Sequence, residues 1–288
     1  MPDLRPYIVL GVALGSVFAV SGVGLVVLYR ATGVLNLAYG AVGALGALIA
    51  WSMINVFLLP DWLSYTFTVV FGGVASLIYG VLIGPLLAGR DPLVKAVGTL
   101  GFLLILLGIM DWVWTDKAHA LILPTTDVGF QLGEVDVNLT QFLGLALAVL
   151  VTAGATVFLR VTNLGTAMRA LADDREITAM LGVPVRRVEA AAWFASGLLS
   201  GATGLLLSNL VGLDAVTLTF LVIASLSAAL VGRLRSLWVT LVAALAIGIL
   251  QSALTPFDAV SPYRSLTPFI VAIVALLWLA RRRQVLAG

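Results

Sequence analysis

Uninterrupted apolar runs of about twenty residues recur along nearly the whole chain, and a run of that length restricts its own fold more than any motif does. A hydrocarbon layer of about 30 Å is crossed by roughly 20 helical residues rising about 1.5 Å each, and within it every backbone N–H and C=O needs a partner inside the protein. The runs are Tyr7–Leu28, Val34–Leu58, Thr66–Ala88, Val94–Trp114, Leu139–Leu159, Val188–Val211, Val216–Val231, Leu237–Thr255 and Leu266–Ala280, the seventh being short. With 61% hydrophobic and 10% charged residues and a mean hydropathy of +1.12, the chain has no stretch left for a soluble domain. The expected fold class is all-α: a polytopic α-helical membrane protein of about nine spans forming one transmembrane domain over 1–288. The first run is too long for a signal-peptide core and no small-residue cleavage site follows it, so it is expected to be retained. The absence of cysteine excludes disulfides and thiolate metal sites.

Alternating spans place successive loops on opposite sides, and Lys and Arg accumulate on the cytoplasmic one. With the loop at Arg30 inside, only Arg5, Lys117 and Arg264 of the 16 Lys and Arg residues fall outside. Arg90, Lys95, Arg160, Arg169, Arg175, Arg186, Arg187, Arg233, Arg235 and Arg281 to Arg283 all fall inside. This predicts an N-out, C-in topology, with a cytoplasmic loop at about 160–187 and the longest outside loop at about 115–138. The bias accounts for the net charge of +2 and pI of about 9.1 without nucleic acid as a partner.

The inside loop holds an unusual concentration of charge in ALADDREITAMLGVPVRRVEA, residues 170–190. Asp173 as N-cap with Glu176 three residues on is a capping-box pattern, and Gly182 followed by Pro184 supplies a stop. The punctuation predicts a helix of about two turns, with Ile177, Met180 and Leu181 on one face. A helix so short is marginal in water unless that face is covered. Spacing fits two covers equally: the membrane surface with its anionic headgroups, or a groove on a cytoplasmic protein.

Several chemistries are missing. A phosphate loop of the GxxxxGK[ST] type needs lysine after glycine, whereas Lys95 and Lys117 follow Val94 and Asp116, so any ATP must be bound by another chain. Ion-coupled carriers keep carboxylates or histidines at mid-membrane, but Asp111, Glu189 and Asp214 fall near span ends and the single histidine, His119, in the outside loop. No HExxH, GxSxG or second histidine supports hydrolysis. The chain is expected to be no enzyme and to hold no cofactor, its work being to move or hold something.

A solute path could follow the second span. Read as one helix from Val34, it puts Asn36, Gly40, Gly43 and Ala47 on a shared face, with Tyr39 beside them offering a second polar group. Close helix packing of the small-xxx-small kind explains the same stripe and is the stronger reading on spacing alone. The sixth span has the same ambiguity, with Gly197, Gly201 and Gly204 beside Ser196, Ser200 and Thr203. In the outside loop Asp116, Asp127, Glu134 and Asp136 against Lys117 suit either solvent or an extracytoplasmic partner.

The segments GVLNLAYGAVGALGALIAW and FLRVTNLGTAMRALADDREITAMLGVPVRRVEAAAWFASGLLSGATGLLLS resemble the Liv-type permeases of branched-chain amino acid ABC importers, most closely the LivH branch. Weaker likeness extends through GRDPLVKAVGTLGFLLILLG and ALVGRLRSLW. The resemblance implies a permease of a prokaryotic cell membrane working with a related second permease chain, an extracytoplasmic solute-binding protein and two cytoplasmic ATPases that bind ATP and Mg. It makes 172–184 the segment coupled to the ATPases, with Ala172, Asp173, Asp174, Glu176, Ile177, Met180, Leu181 and Gly182 as the coupling residues. On the transport reading, Asn36, Tyr39, Gly40 and Gly43 of the second-span groove are the expected substrate-path residues. Relatives commonly read N-[FL]-A-H-G where this chain has Asn36-Leu37-Ala38-Tyr39-Gly40, and carry a Gly/Pro-rich turn where it has Gly232-Arg233-Leu234-Arg235-Ser236-Leu237. Branched-chain or other small amino acids are the expected solutes, with urea or short amides as an alternative. A stand-alone secondary transporter or channel, and a membrane scaffold, are the readings from other classes.

Overall fold

The apolar runs fold as helices, and the departures from the expected spans fall where side chains take over the backbone's hydrogen bonds. The computed structural model describes residues 4–114, 119–126, 128–132, 135–257, 261–275 and 277. Arg281 to Arg283, Asp116, Lys117, Asp127 and Glu134 lie outside the described residues. In order the chain forms α1 (Arg5–Thr32), α2 (Tyr39–Asn55), α3 (Asp61–Leu82), the single turn α4 (Gly84–Leu87) and α5 (Pro92–Val113). A short antiparallel hairpin, β1 (Gly129–Leu132) with β2 (Val135–Asn138), follows in register Gly129 to Asn138. Then come α6 (Leu139–Val161), α7 (Asn163–Asp173), α8 (Arg175–Met180), α9 (Val185–Val211), α10 (Ala215–Phe220), α11 (Val222–Val231) and α12 (Leu237–Ala253). A 3-10 turn over Ser261–Leu266 leads into a last apolar helix, described over Tyr263–Ala275.

The expected all-α membrane fold is what the chain adopts. α1, α3, α5, α6 and α9 are long and apolar enough to cross a bilayer, and α2, 215–231, α12 and the last helix are shorter apolar segments. Three departures from the sequence reading change the course of the chain. The second helix begins at Tyr39 rather than Val34. The third stops at Leu82 and α4 restarts on Pro85, whose ring and missing N–H are tolerated only in a first turn. The seventh is interrupted at Leu221, giving α10 and α11 in place of one rod.

The chain divides into two compact units. The first comprises 1–23, 124–152 and 223–288, and the second 24–123 and 153–222. In the first, α1 and α12 run antiparallel at backbone contact: a Cβ on Gly11 would stand 2.6 Å from the Ile249 Cα, and one on Gly15 2.7 Å from the Leu245 Cα. In the second, α3 and α9 run antiparallel through Gly72 against Gly197 and Thr68 against Gly201, while α2 lies parallel to α9 through Gly43 against Gly204.

The turn before α12 puts two side-chain-bearing residues in the left-handed region, Arg233 at φ 57 and Leu234 at φ 53. Leu234 N–H donates to Ala229 O at 2.8 Å and Ser236 N–H to Gly232 O at 3.0 Å, so the hydrogen-bonded turn holds both residues there. That conformation costs an L-residue about 1–2 kcal/mol, which glycine avoids. Leu234→Gly is expected to raise the thermal midpoint of the detergent-solubilised protein. Gly232→Ala should lower it, because the new Cβ would meet the Thr240 hydroxyl and sit 2.8 Å from Ser236 O.

Candidate functional site

The break before α2 is the first place where backbone leaves the helix inside the apolar part of the chain, and its polar groups are covered one by one. Gly33, at φ +66, ends α1. Thr32 Oγ1 donates to Leu28 O at 2.8 Å and accepts from Val34 N–H at 3.1 Å. From α5, Thr99 Oγ1 donates to Leu35 O at 2.9 Å and accepts from Leu37 N–H at 3.1 Å. Asn36, 4% exposed, accepts from Ala38 N–H through Oδ1 at 3.1 Å. Asn36 therefore sits in the loop and shapes it, and does not share a helical face with Gly40, Gly43 and Ala47; the helical reading failed because a tertiary partner, Thr99, stabilises the break.

Beyond the break the expected path residues form a packed seam. Tyr39 is 1% exposed, with its hydroxyl end 2.7 Å from where a Cβ on Gly24 would stand. Its carbonyl accepts a 2.6 Å hydrogen bond from Ser200 Oγ of α9. A Cβ on Gly40 would collide with the Thr219 carbonyl of α10, and one on Gly43 would lie 2.6 Å from Ser200 O. Thus the structure brings Tyr39, Gly40 and Gly43 together with α9 and α10, which sequence spacing could not identify as their neighbours. Close packing explains the two glycines. Ser196, in the polar stripe of α9, is buried and its Oγ has no partner among the described residues.

The charged segment forms an exposed corner at one end of the second unit. Thr162 caps α7, accepting from Gly165 N–H at 2.9 Å, and Met168 and Leu171 bury its apolar face. The cap of α8 is Asp174, accepting from the N–H groups of Glu176 and Ile177 at 2.9 Å each. Asp173, the expected cap, is instead the last residue of α7; with two adjacent aspartates the helix-to-helix corner decides which one caps. Gly182 at φ +82 ends the segment in a conformation that suits glycine. Ile177, Met180 and Leu181 are 54%, 78% and 78% exposed. Ala172, Asp173, Asp174 and Glu176 beside them are exposed as well, so apolar side chains share this surface with a charged rim.

An ion pair ties the corner to the core helices. Arg175 Nη2 lies 2.9 Å from Glu189 Oε1, and Arg175 Nε donates to the same oxygen at 3.0 Å. This pair shares a small cavity with Thr32, Leu87, Lys95 and Trp193, so the ends of α1 and α4 and the starts of α5, α8 and α9 meet there.

The chain matches, over residues 7–277, the family described as the branched-chain amino acid transport system permease component. It is 27% identical to the probable branched-chain amino acid transport permease protein LivH of Methanocaldococcus jannaschii, over 82% of this chain and 76% of that one. It is 26% identical to the high-affinity branched-chain amino acid transport system permease protein BraD of Pseudomonas aeruginosa, covering 88% and 87%. With the corresponding LivH of Escherichia coli K12 it shares 23% identity over 93% and 91%.

Thr99→Val deprives Leu35 O and Leu37 N–H of their partner, a loss of about 1–3 kcal/mol for each buried group left unsatisfied. The expected result is a clear fall in the thermal midpoint, largely recovered by Thr99→Ser, which keeps the hydroxyl.

Proposed function

The chain belongs to the branched-chain amino acid transport permease family, and from that membership we propose that it is the membrane-spanning subunit of an ATP-driven importer for branched-chain or other small amino acids. It is a multi-pass protein of the prokaryotic cell membrane and a transport component rather than an enzyme. In the proposed assembly ATP and Mg are held by two cytoplasmic ATPase subunits, a related permease chain forms the other half of the path, and an extracytoplasmic protein delivers the solute.

The observation that carries this reading is the exposed face of α8. Ile177, Met180 and Leu181 form an apolar anchor beside the charged Asp173, Asp174 and Glu176, the arrangement in which a short amphipathic helix seats in a protein groove. Docking an ATPase there supplies the cover that the two-turn helix lacks. Movement of α8 then passes to α9 through Arg175 and Glu189, and from α9 to the start of α2 through Ser200 and the Tyr39 carbonyl. An exposed ion pair adds little stability, so its part here is to fix direction.

Mild-detergent purification of the tagged chain from its native membrane tests the assembly: a P-loop ATPase and a related permease should co-purify, and Leu181→Asp should remove the ATPase. A partner-free chain that moves solute in liposomes would favour a stand-alone transporter instead. Arg175→Glu is expected to leave ATPase association intact and to cut uptake about tenfold, the scale of one well-placed charged contact. The exchanged pair Arg175→Glu with Glu189→Arg should recover most of that loss.

A further inference from the structure

The small cavity beside the Arg175–Glu189 pair has a volume of about 20 Å³, and Thr32, Gly84, Lys95 and Trp193 contribute to its wall. We propose that it receives the phosphate of an anionic phospholipid, one phosphate oxygen accepting from Lys95 Nζ and Trp193 Nε1–H. The inference goes beyond the transport reading and needs only the membrane fold.

Two donors facing this space have no acceptor. Trp193 is 2% exposed, yet its indole N–H has no hydrogen-bond partner among the described residues. The N–H edge of the ring faces Gly84, where a Cβ would meet only Trp193 Nε1, at 4.0 Å. A buried donor left unpaired is costly, which points to an acceptor from outside the chain. Lys95, half-buried at the start of α5, forms no hydrogen bond or ion pair with any described residue. Its Nζ lies 3.9 Å from where a Cβ on Gly33 would stand. Thr32 is already satisfied, donating to Leu28 O and accepting from Val34 N–H. Glu189 is the one carboxylate among the described lining residues, and Arg175 holds its Oε1 through both Nε and Nη2. Two cations against one carboxylate leave the space net positive, which suits an anion.

The size decides how the anion enters. A group the size of water needs about 10–15 Å³ of such space, so one phosphate oxygen fits and a whole solute does not. The rest of the phosphate stays at the mouth, joined to something outside. Beside the cavity the α4–α5 corner is apolar at its surface: Leu82, Leu86 and Leu93 are exposed, as is Arg90 between them. That surface gives acyl chains a place next to the phosphate, whereas free phosphate would leave it bare. A basic pocket between membrane helices is a usual seat of an anionic headgroup. A phosphate held there bridges α5 to α9, next to the pair that joins α9 to α8.

Native mass spectrometry of the delipidated full chain, titrated with phosphatidylglycerol, reads the site directly. One phosphatidylglycerol should bind more tightly than the rest, and Lys95→Gln and Trp193→Phe should each weaken it about tenfold, the loss of one charge-assisted contact. Lys95→Arg should retain it. Arg187→Gln, at an exposed position outside the cavity wall, should leave it unchanged, and inorganic phosphate at the lipid's concentration should not displace it. Equal weakening by Arg187→Gln makes the binding a diffuse effect of surface charge and overturns the proposal. So does displacement by inorganic phosphate, which makes this a free-phosphate site, or unchanged affinity in Lys95→Gln. A lowered thermal midpoint in both Lys95→Gln and Trp193→Phe, with no response to phosphatidylglycerol in the unaltered chain, assigns the cavity to ordered water and also overturns it. Should Trp193→Phe fail to fold, Lys95→Gln against Arg187→Gln decides alone. The readout is lipid binding and not uptake, so failure here leaves the permease reading standing.

Discussion

The requirement that backbone polar groups be satisfied away from water governs this structure, because it makes each interruption of a helix a place that side chains must repair. The loop at 33–38 shows how. Thr32, Asn36 and Thr99 between them serve five backbone groups from Leu28 to Ala38, and only after that does α2 begin. Thr99 sits on α5, so the geometry at the entrance to α2 is set by a helix more than sixty residues away in sequence. The shortness of α2 is a consequence of tertiary bonding rather than of weak helix propensity.

Small residues then determine how near the helices come. Lipid chains are as apolar as leucine, so helices gain little from burying apolar surface against each other and depend on close contact. Gly72 against Gly197 and Gly43 against Gly204 bring α3 and α2 onto α9 at backbone distance. Packing that close leaves α9 as the common element of the seam, with Ser200 bonded to Tyr39 at its middle and Glu189 bonded to Arg175 near its start. The two ends of the second unit therefore have different characters: a charged corner with an uncovered apolar anchor, and an open cavity lined by Asp111 and Asp214.

Much of this was legible in the sequence, since run length and charge bias need no tertiary information. The membrane class, most helix extents and the stop at Gly182 follow from apolar length and glycine's access to positive φ. The amphipathic face of α8 was equally visible, because i, i+3, i+4 spacing survives whatever surrounds it. The choice of Asp174 over Asp173 as cap was not, because adjacent aspartates offer the same chemistry and only the direction of the chain leaving α7 separates them.

By itself the sequence determined that the chain must be a bundle of membrane helices with a charged corner on one side, because backbone in hydrocarbon must be paired and apolar runs of about twenty residues have the length of spanning helices rather than of barrel strands. The tertiary structure alone decided that Asn36 shapes a loop, that Gly40 and Gly43 are contact points, and that Asp111 and Asp214 face one space. Those outcomes depend on which distant residues come within a few ångströms, and a pattern along one chain carries no record of distances between its helices.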